Sequence, residues 1–126
     1  MTTRRDGAQI RIVVVDDDEF MRELLSLHLT NAGYEVLVAE DAVDAGHLVV
    51  RSPPDLLIVD VRMPYMTGYE FVRALKDDPE TRHIRVVLLT SEEDADQHAA
   101  RLGADACLGK PVKADRLLEL VAELAG

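Results

Sequence analysis

Ile10-Arg11-Ile12-Val13-Val14-Val15-Asp16-Asp17-Asp18-Glu19-Phe20 drives five apolar residues out of six into four consecutive acids. The apolar part is β-branched and does not alternate with polar residues. That is the pattern of a short strand buried on both faces, as in a parallel sheet covered by helices. The acids that follow pose an electrostatic problem. Two like charges about 4 Å apart repel by about 1 kcal/mol in water and by several times that near a protein surface. A chain that ends a buried strand in this way either fans its acids into solvent or holds something cationic among them.

Outward from this stretch the same unit recurs. Strand-like runs at 11–15, 34–39, 55–59, 85–89 and 105–108 alternate with amphipathic stretches at 18–32, 41–51, 67–78, 92–102 and 113–125. Five βα units in succession predict a parallel sheet with helices on both faces. The punctuation agrees. Gly33 and Gly103 follow helical stretches, where a positive φ is wanted. Thr67-Gly68-Tyr69-Glu70 reads as a capping box, flanked by Met66 and Phe71 as a hydrophobic staple. Pro79 stops the third helix, and Pro53-Pro54 breaks the chain before the third strand. Strands one, three and four are apolar throughout and belong in the centre. Strand two is flanked by Glu35 and Glu40, and strand five is short, so both belong at edges. With right-handed crossovers the simplest order is 2-1-3-4-5, a flavodoxin-like, doubly wound α/β fold with five strands and five helices.

Composition narrows the function. The chain has 126 residues, 48% of them hydrophobic, which suits one domain with one core. A net charge of −10 argues against nucleic acid or an anionic membrane as a direct partner. Cys107 is the single cysteine, which fits a reducing compartment and points to the cytoplasm. Residues 1–9 contain no apolar stretch of signal-peptide type and read as a flexible N-terminal arm, with the folded domain over 10–126.

In a parallel α/β sheet, ligands bind beyond the carboxyl ends of the strands, at the point where the strand order reverses. Here strand one ends at Asp16-Asp17, strand three at Asp60, strand four at Thr90-Ser91 and strand five at Lys110. The fold therefore gathers three carboxylates, a hydroxyl and an ammonium around one crevice. An all-oxygen donor set in a small site suits Mg²⁺. A metal ion stabilises charge on an incoming phosphoryl group, an ammonium does so as a point charge, and a carboxylate can itself accept phosphate.

These residues, with Asp60-Val61-Arg62-Met63-Pro64, Gly68, Leu89-Thr90 and Lys110-Pro111 in order at successive strand ends, resemble the receiver domains of two-component response regulators. The resemblance runs from about residue 10 to the end of the chain and defines 10–126 as a receiver domain. It implies that Asp60 is the phosphoacceptor and that Asp17 and Asp60 bind Mg²⁺ directly, with the backbone carbonyl of Arg62 as a third protein ligand. Asp16 would act mainly through water. Thr90 and Lys110 would contact the phosphoryl group, and Lys110-Pro111 would be a cis bond. It also implies a histidine kinase or phosphotransfer protein as donor. Output would pass to a downstream protein or an attached effector domain, or through a phosphorylation-linked dimer. The protein would be a phosphoacceptor that assists its own phosphorylation and dephosphorylation, not an enzyme acting on other substrates. One departure stands out, because relatives usually carry Tyr or Phe where this chain has Cys107. By strand parity Cys107 faces away from Leu108 and Lys110, toward the side of Thr90.

Blander readings compete at several positions. Asp18 and Glu19 are accounted for as acids at a helix N-terminus. Arg62 and Glu92 would face each other over the site, or Arg62 is a plain surface cation. His28, His47, His83 and His98 are scattered and form no ligand cluster. In the last helix, Leu117, Leu118, Val121 and Ala125 form the expected inward stripe, with Leu120 and Leu124 beside it. Two other functions remain open on residues alone. One is a haloacid-dehalogenase-like phosphatase with Asp16 as nucleophile, which leaves Asp60-Val61-Arg62-Met63-Pro64 without a role. The other is a flavin module, which the acidic loop after strand one disfavours.

Overall fold

The computed structural model describes residues 3, 4, 6–91 and 103–125. Its elements run β1 (Arg11–Val15), α1 (Glu19–Asn31), β2 (Glu35–Ala39), α2 (Ala42–Arg51), β3 (Leu56–Asp60), α3 (Gly68–Asp77), β4 (Arg85–Thr90), β5 (Ala106–Gly109) and α4 (Ala114–Ala125). The five strands are parallel and lie in the order β2-β1-β3-β4-β5. The fold class and strand order are those expected from the sequence, with four helices among the described residues. The expected helix over 92–102, with Glu92 and His98, lies outside them.

The sheet is covered on both sides, and strand parity decides which residue goes where. Val13, Val15, Leu57, Val59, Val86 and Leu88 point to one face, where they pack with Ala45 and Val49 of α2 and Phe71, Val72 and Leu75 of α3. Ile12, Val14, Leu56, Ile58, Val87, Leu89 and Leu108 point to the other, against Leu25 and Leu29 of α1 and Leu117, Leu120 and Val121 of α4. Every residue of β3 is buried, as a central strand requires. In α4 the buried stripe is Leu117, Leu120 and Val121, while Leu118, Leu124 and Ala125 are half-buried at its margin. Leu120 therefore belongs to the core, and Leu118 sits farther out than the periodicity suggested.

The ends of the helices are specified locally. Asp18, Asp41 and Thr67 cap α1, α2 and α3 with their side chains. Thr67 and Glu70 exchange both bonds of the capping box, and Met66 and Phe71 meet in the same core cluster. After α1, Gly33 adopts φ 98°, the left-handed turn that lets the chain re-enter the sheet as β2. Before β1, Thr3 bridges Gln9, Arg4 pairs with Asp55 at 3.5 Å, and the Gln9 amide donates to the Gly33 carbonyl at 2.7 Å. Arg4 and Gln9 thus contact the amino-terminal end of the sheet.

One position ties helix packing directly to the strand end. A Cβ on Gly68 would lie 2.5 Å from the Asp60 carbonyl oxygen and 2.9 Å from Val61 Cα. Backbone meets backbone here, so no side chain can yield. Gly68→Ala should therefore destabilise the chain by about 1–3 kcal/mol and displace the end of β3. Chemical denaturation measures the first effect and amide chemical shifts at residues 60–62 the second; an Ala variant with wild-type stability and shifts would show that the contact is slack.

Candidate functional site

At the carboxyl end of the sheet each central strand delivers one polar group. The Asp16 N–H donates to the Ala39 carbonyl at 3.1 Å, extending the β1–β2 ladder by one residue. That extension carries its side chain inward, and Asp16 is fully buried while Asp17, one residue on, is exposed. Asp16 Oδ1 accepts the Asp18 N–H at 2.9 Å. Asp16 Oδ2 is buried without a hydrogen-bond partner, and the Lys110 ammonium lies 3.7 Å from it. Asp60, the last residue of β3, is 5% exposed, and its Oδ1 lies 3.1 Å from Lys110 Nζ. The Arg62 N–H approaches the same oxygen at 3.4 Å. Thr90 ends β4 as a buried residue. Lys110 follows β5, its N–H donating to the Thr90 carbonyl at 3.0 Å, and the Lys110-Pro111 bond is cis as expected.

The result is a pocket of about 260 Å³ lined by Asp16, Asp17 and Asp60 together with Arg62, Thr90, Ser91 and Lys110. Each of the three carboxylates offers an oxygen within 4.8 Å of the other two. All the site residues expected from the sequence meet here. The partner expected for Arg62, Glu92, lies outside the described residues. Cys107 is half-buried and packs with the core on the α2–α3 face, the face of Val86 and Leu88, as its parity requires. Sequence reasoning missed Arg22, whose guanidinium donates to the Asp16 carbonyl at 2.8 Å and holds the β1–α1 turn. A cation near the start of α1, where the helix dipole disfavours it, was the available signal.

The electrostatics follow from burial. Desolvation is the main cause that pushes the Asp16 carboxyl up to about 6; the Asp18 N–H opposes it, Asp60 and Asp17 add to the rise, and Lys110 opposes it. Three acids and one ammonium leave an excess of negative charge in a confined space. The unpartnered Asp16 Oδ2 shows that the protein's own groups do not satisfy it. A small dication with oxygen ligands fits this donor set. The loop beyond it is tightly drawn. Tyr65 holds φ 72°, a left-handed conformation that costs a side-chain-bearing residue roughly 1–2 kcal/mol, and its side chain is exposed.

A raised carboxyl makes stability depend on pH. Asp16 binds its proton more tightly in the folded chain, near 6, than in the unfolded one, near 3.8. Its contribution is therefore fully present below the lower value and lost as pH rises through the upper one, a loss of ~3 kcal/mol. Asp16→Asn removes that loss. In metal-free buffer the variant should melt higher than the wild type at neutral pH, with the gap closing toward pH 4. Thermal scans across this range check it; a gap that is constant with pH, or of opposite sign, would contradict the assignment.

Comparison with known proteins gives a consistent result. The family model described as the response regulator receiver domain matches residues 12–122. Response regulator PleD of Caulobacter vibrioides is 44% identical over 104 residues, covering 81% of this chain and 23% of PleD. The phosphate regulon transcriptional regulatory protein PhoB of Pseudomonas aeruginosa is 38% identical over 115 residues, covering 90% of this chain and 49% of PhoB. The chain thus spans half or less of the length of these relatives. Among solved structures, chemotaxis response regulator CheY4 of Vibrio cholerae aligns with a TM-score of 0.87 at 32% identity, covering 93% of this chain and 99% of CheY4. The signal receiver domain of a histidine kinase from Syntrophus aciditrophicus aligns at 0.84 and 34%, covering 91% and 89% of the two chains.

Proposed function

The chain belongs to the response regulator receiver family, and from that premise we propose that Asp60 accepts a phosphoryl group in a Mg²⁺-dependent transfer that switches the surface around the site. The observation that carries this assignment is the pairing of a buried strand-end carboxylate with an ammonium at 3.1 Å, inside a pocket whose charge is otherwise negative. An Asp60 carboxylate oxygen forms the new bond to phosphorus while the donor's leaving group departs with the old bonding pair. Asp17, Asp60 and the Arg62 backbone carbonyl would hold Mg²⁺, with Asp16 acting through water. Bound there, the ion would supply positive charge for the phosphoryl oxygens. Lys110 stays beside Asp60 and pairs with the phosphoryl group once it is in place. The Thr90 hydroxyl, at the same strand-end level, turns toward a phosphoryl oxygen and so reads out the modification. Arg22 and the Asp18 cap fix the turn that presents Asp16 and Asp17.

The reading extends to partners. The donor is a histidine kinase or a histidine-containing phosphotransfer protein. Because the relatives PleD and PhoB are longer than the match, the output passes to an attached effector domain or to a separate protein. Assembly of two phosphorylated chains is a further route. Residues 10–126 form the receiver domain, and the single cysteine and acidic surface suit the cytoplasm. The phosphatase alternative draws no support from the family match. It would also leave Asp60, with the Lys110 ammonium 3.1 Å away, without a role.

Phosphorylation with acetyl phosphate and Mg²⁺, followed by peptide mapping, should place the phosphoryl group on Asp60. Asp60→Asn should remove the signal, and Asp17→Asn should abolish transfer at millimolar Mg²⁺ while leaving the fold intact. Label on Asp16, or normal labelling of Asp17→Asn, would overturn the assignment.

A further inference from the structure

Beside the acidic pocket a second cleft of about 420 Å³ opens against the β3–α3 loop. It shares Asp17, Val61 and Arg62 with the phosphoryl site and continues over Met63, Thr67 and Tyr69. Its chemistry differs from that of its neighbour. Val61 is buried at its floor, and Met63 and Tyr69 are half-buried, each packed against the core on the α2–α3 side. Two side chains held against the core, one of them aromatic, form a surface for a flat ring.

We infer that this cleft receives the heteroaromatic leaving group of the phosphodonor, with Tyr69 and Met63 as specificity-determining residues for an imidazole-borne phosphoryl group. The inference rests on Asp60 as phosphoacceptor and adds what selects the donor. In the transfer the P–N bond breaks as the P–O bond to Asp60 forms. The ring nitrogen takes the bonding pair, and a ring already protonated on its other nitrogen leaves as neutral imidazole. Continuity of the two pockets through Asp17, Val61 and Arg62 places the ring at the cleft while its phosphorus is at Asp60. An aromatic ring on Tyr69 and a polarizable sulfur on Met63 both favour contact with a second ring. Acetate, the leaving group of acetyl phosphate, has no ring and gains nothing from either residue.

The test is a ratio of rates. Wild-type protein, Tyr69→Ala, Tyr69→Leu and Met63→Ala are each phosphorylated with N-phosphoimidazole and with acetyl phosphate under the same Mg²⁺. Tyr69→Leu keeps apolar bulk against the core, so it reports on the ring even where Tyr69→Ala is too unstable to assay; Tyr69→Phe keeps the ring. Loss of the ring should slow the imidazole donor about three- to tenfold while acetyl phosphate stays within twofold, and Tyr69→Phe should restore the wild-type ratio. Met63→Ala should shift the ratio the same way by a smaller factor. Equal loss with both donors, or an unchanged ratio in Tyr69→Leu and Met63→Ala, would overturn the assignment of the cleft while leaving Asp60 as acceptor. Failure of the wild type with both donors would overturn the acceptor reading and the cleft together.

Discussion

Three carboxylates whose oxygens approach within 4.8 Å of one another, with one ammonium among them, set the terms for the whole molecule. In water such a cluster would spread apart. Here it cannot, because each member is fixed to the end of a strand whose side chains are locked in the core. The repulsion is paid for by the sheet: β1, β3 and β4 are buried on both faces, and their burial supplies the rigidity that keeps like charges together. Removing negative charge relaxes the cluster, and adding positive charge does the same. A dication held among these carboxylates would therefore stabilise the folded chain, which without one trades stability for a charged site.

The rigid elements and the adjustable ones are therefore close together. The strand ends are fixed by the ladder, by the Arg22 bond to the Asp16 carbonyl and by the close approach of Gly68 to Asp60. The loop that follows β3 carries a left-handed tyrosine and an open cleft. Lys110 joins Asp60 and Asp16 across the strand order, so the phosphoryl group proposed for Asp60 would redistribute its contacts. Lys110 is also tied to the end of β4, its N–H donating to the Thr90 carbonyl. A local change in charge thus has a direct mechanical route into β4 and β5.

Much of this was legible in the sequence because two periodicities were clean. β-branched runs without alternation gave the central strands, and the acids and the lysine lay one or two residues past their runs, so the crevice followed from topology. What the sequence hid was set by geometry finer than pattern. Asp16 and Asp17 are identical neighbours, yet one is fully buried and the other exposed, because the ladder from β2 extends one residue beyond β1. Leu120 and Leu118 exchange the depths of the expected stripe, because the helix turns its i, i+3, i+4 face, Leu117, Leu120 and Val121, to the core. Tyr65 offers no residue-type signal for a positive φ, because that conformation is imposed by the turn between Pro64 and the α3 cap. The contacts of Arg4 and Gln9 depend on Asp55 and Gly33, distant in sequence, and no local pattern announces them.

If unbalanced charge at the strand ends is the central constraint, the most direct measurement is the melting temperature at neutral pH as a function of Mg²⁺, against NaCl at matched ionic strength. The melting temperature should show a saturable rise with Mg²⁺ that follows mass action for a ligand bound by the folded state alone, accompanied by amide shift changes confined to residues near Asp16, Asp17, Asp60 and Lys110. NaCl should give only the shallow rise expected of screening. Identical curves for the two salts, with no localised shifts under Mg²⁺, would contradict it.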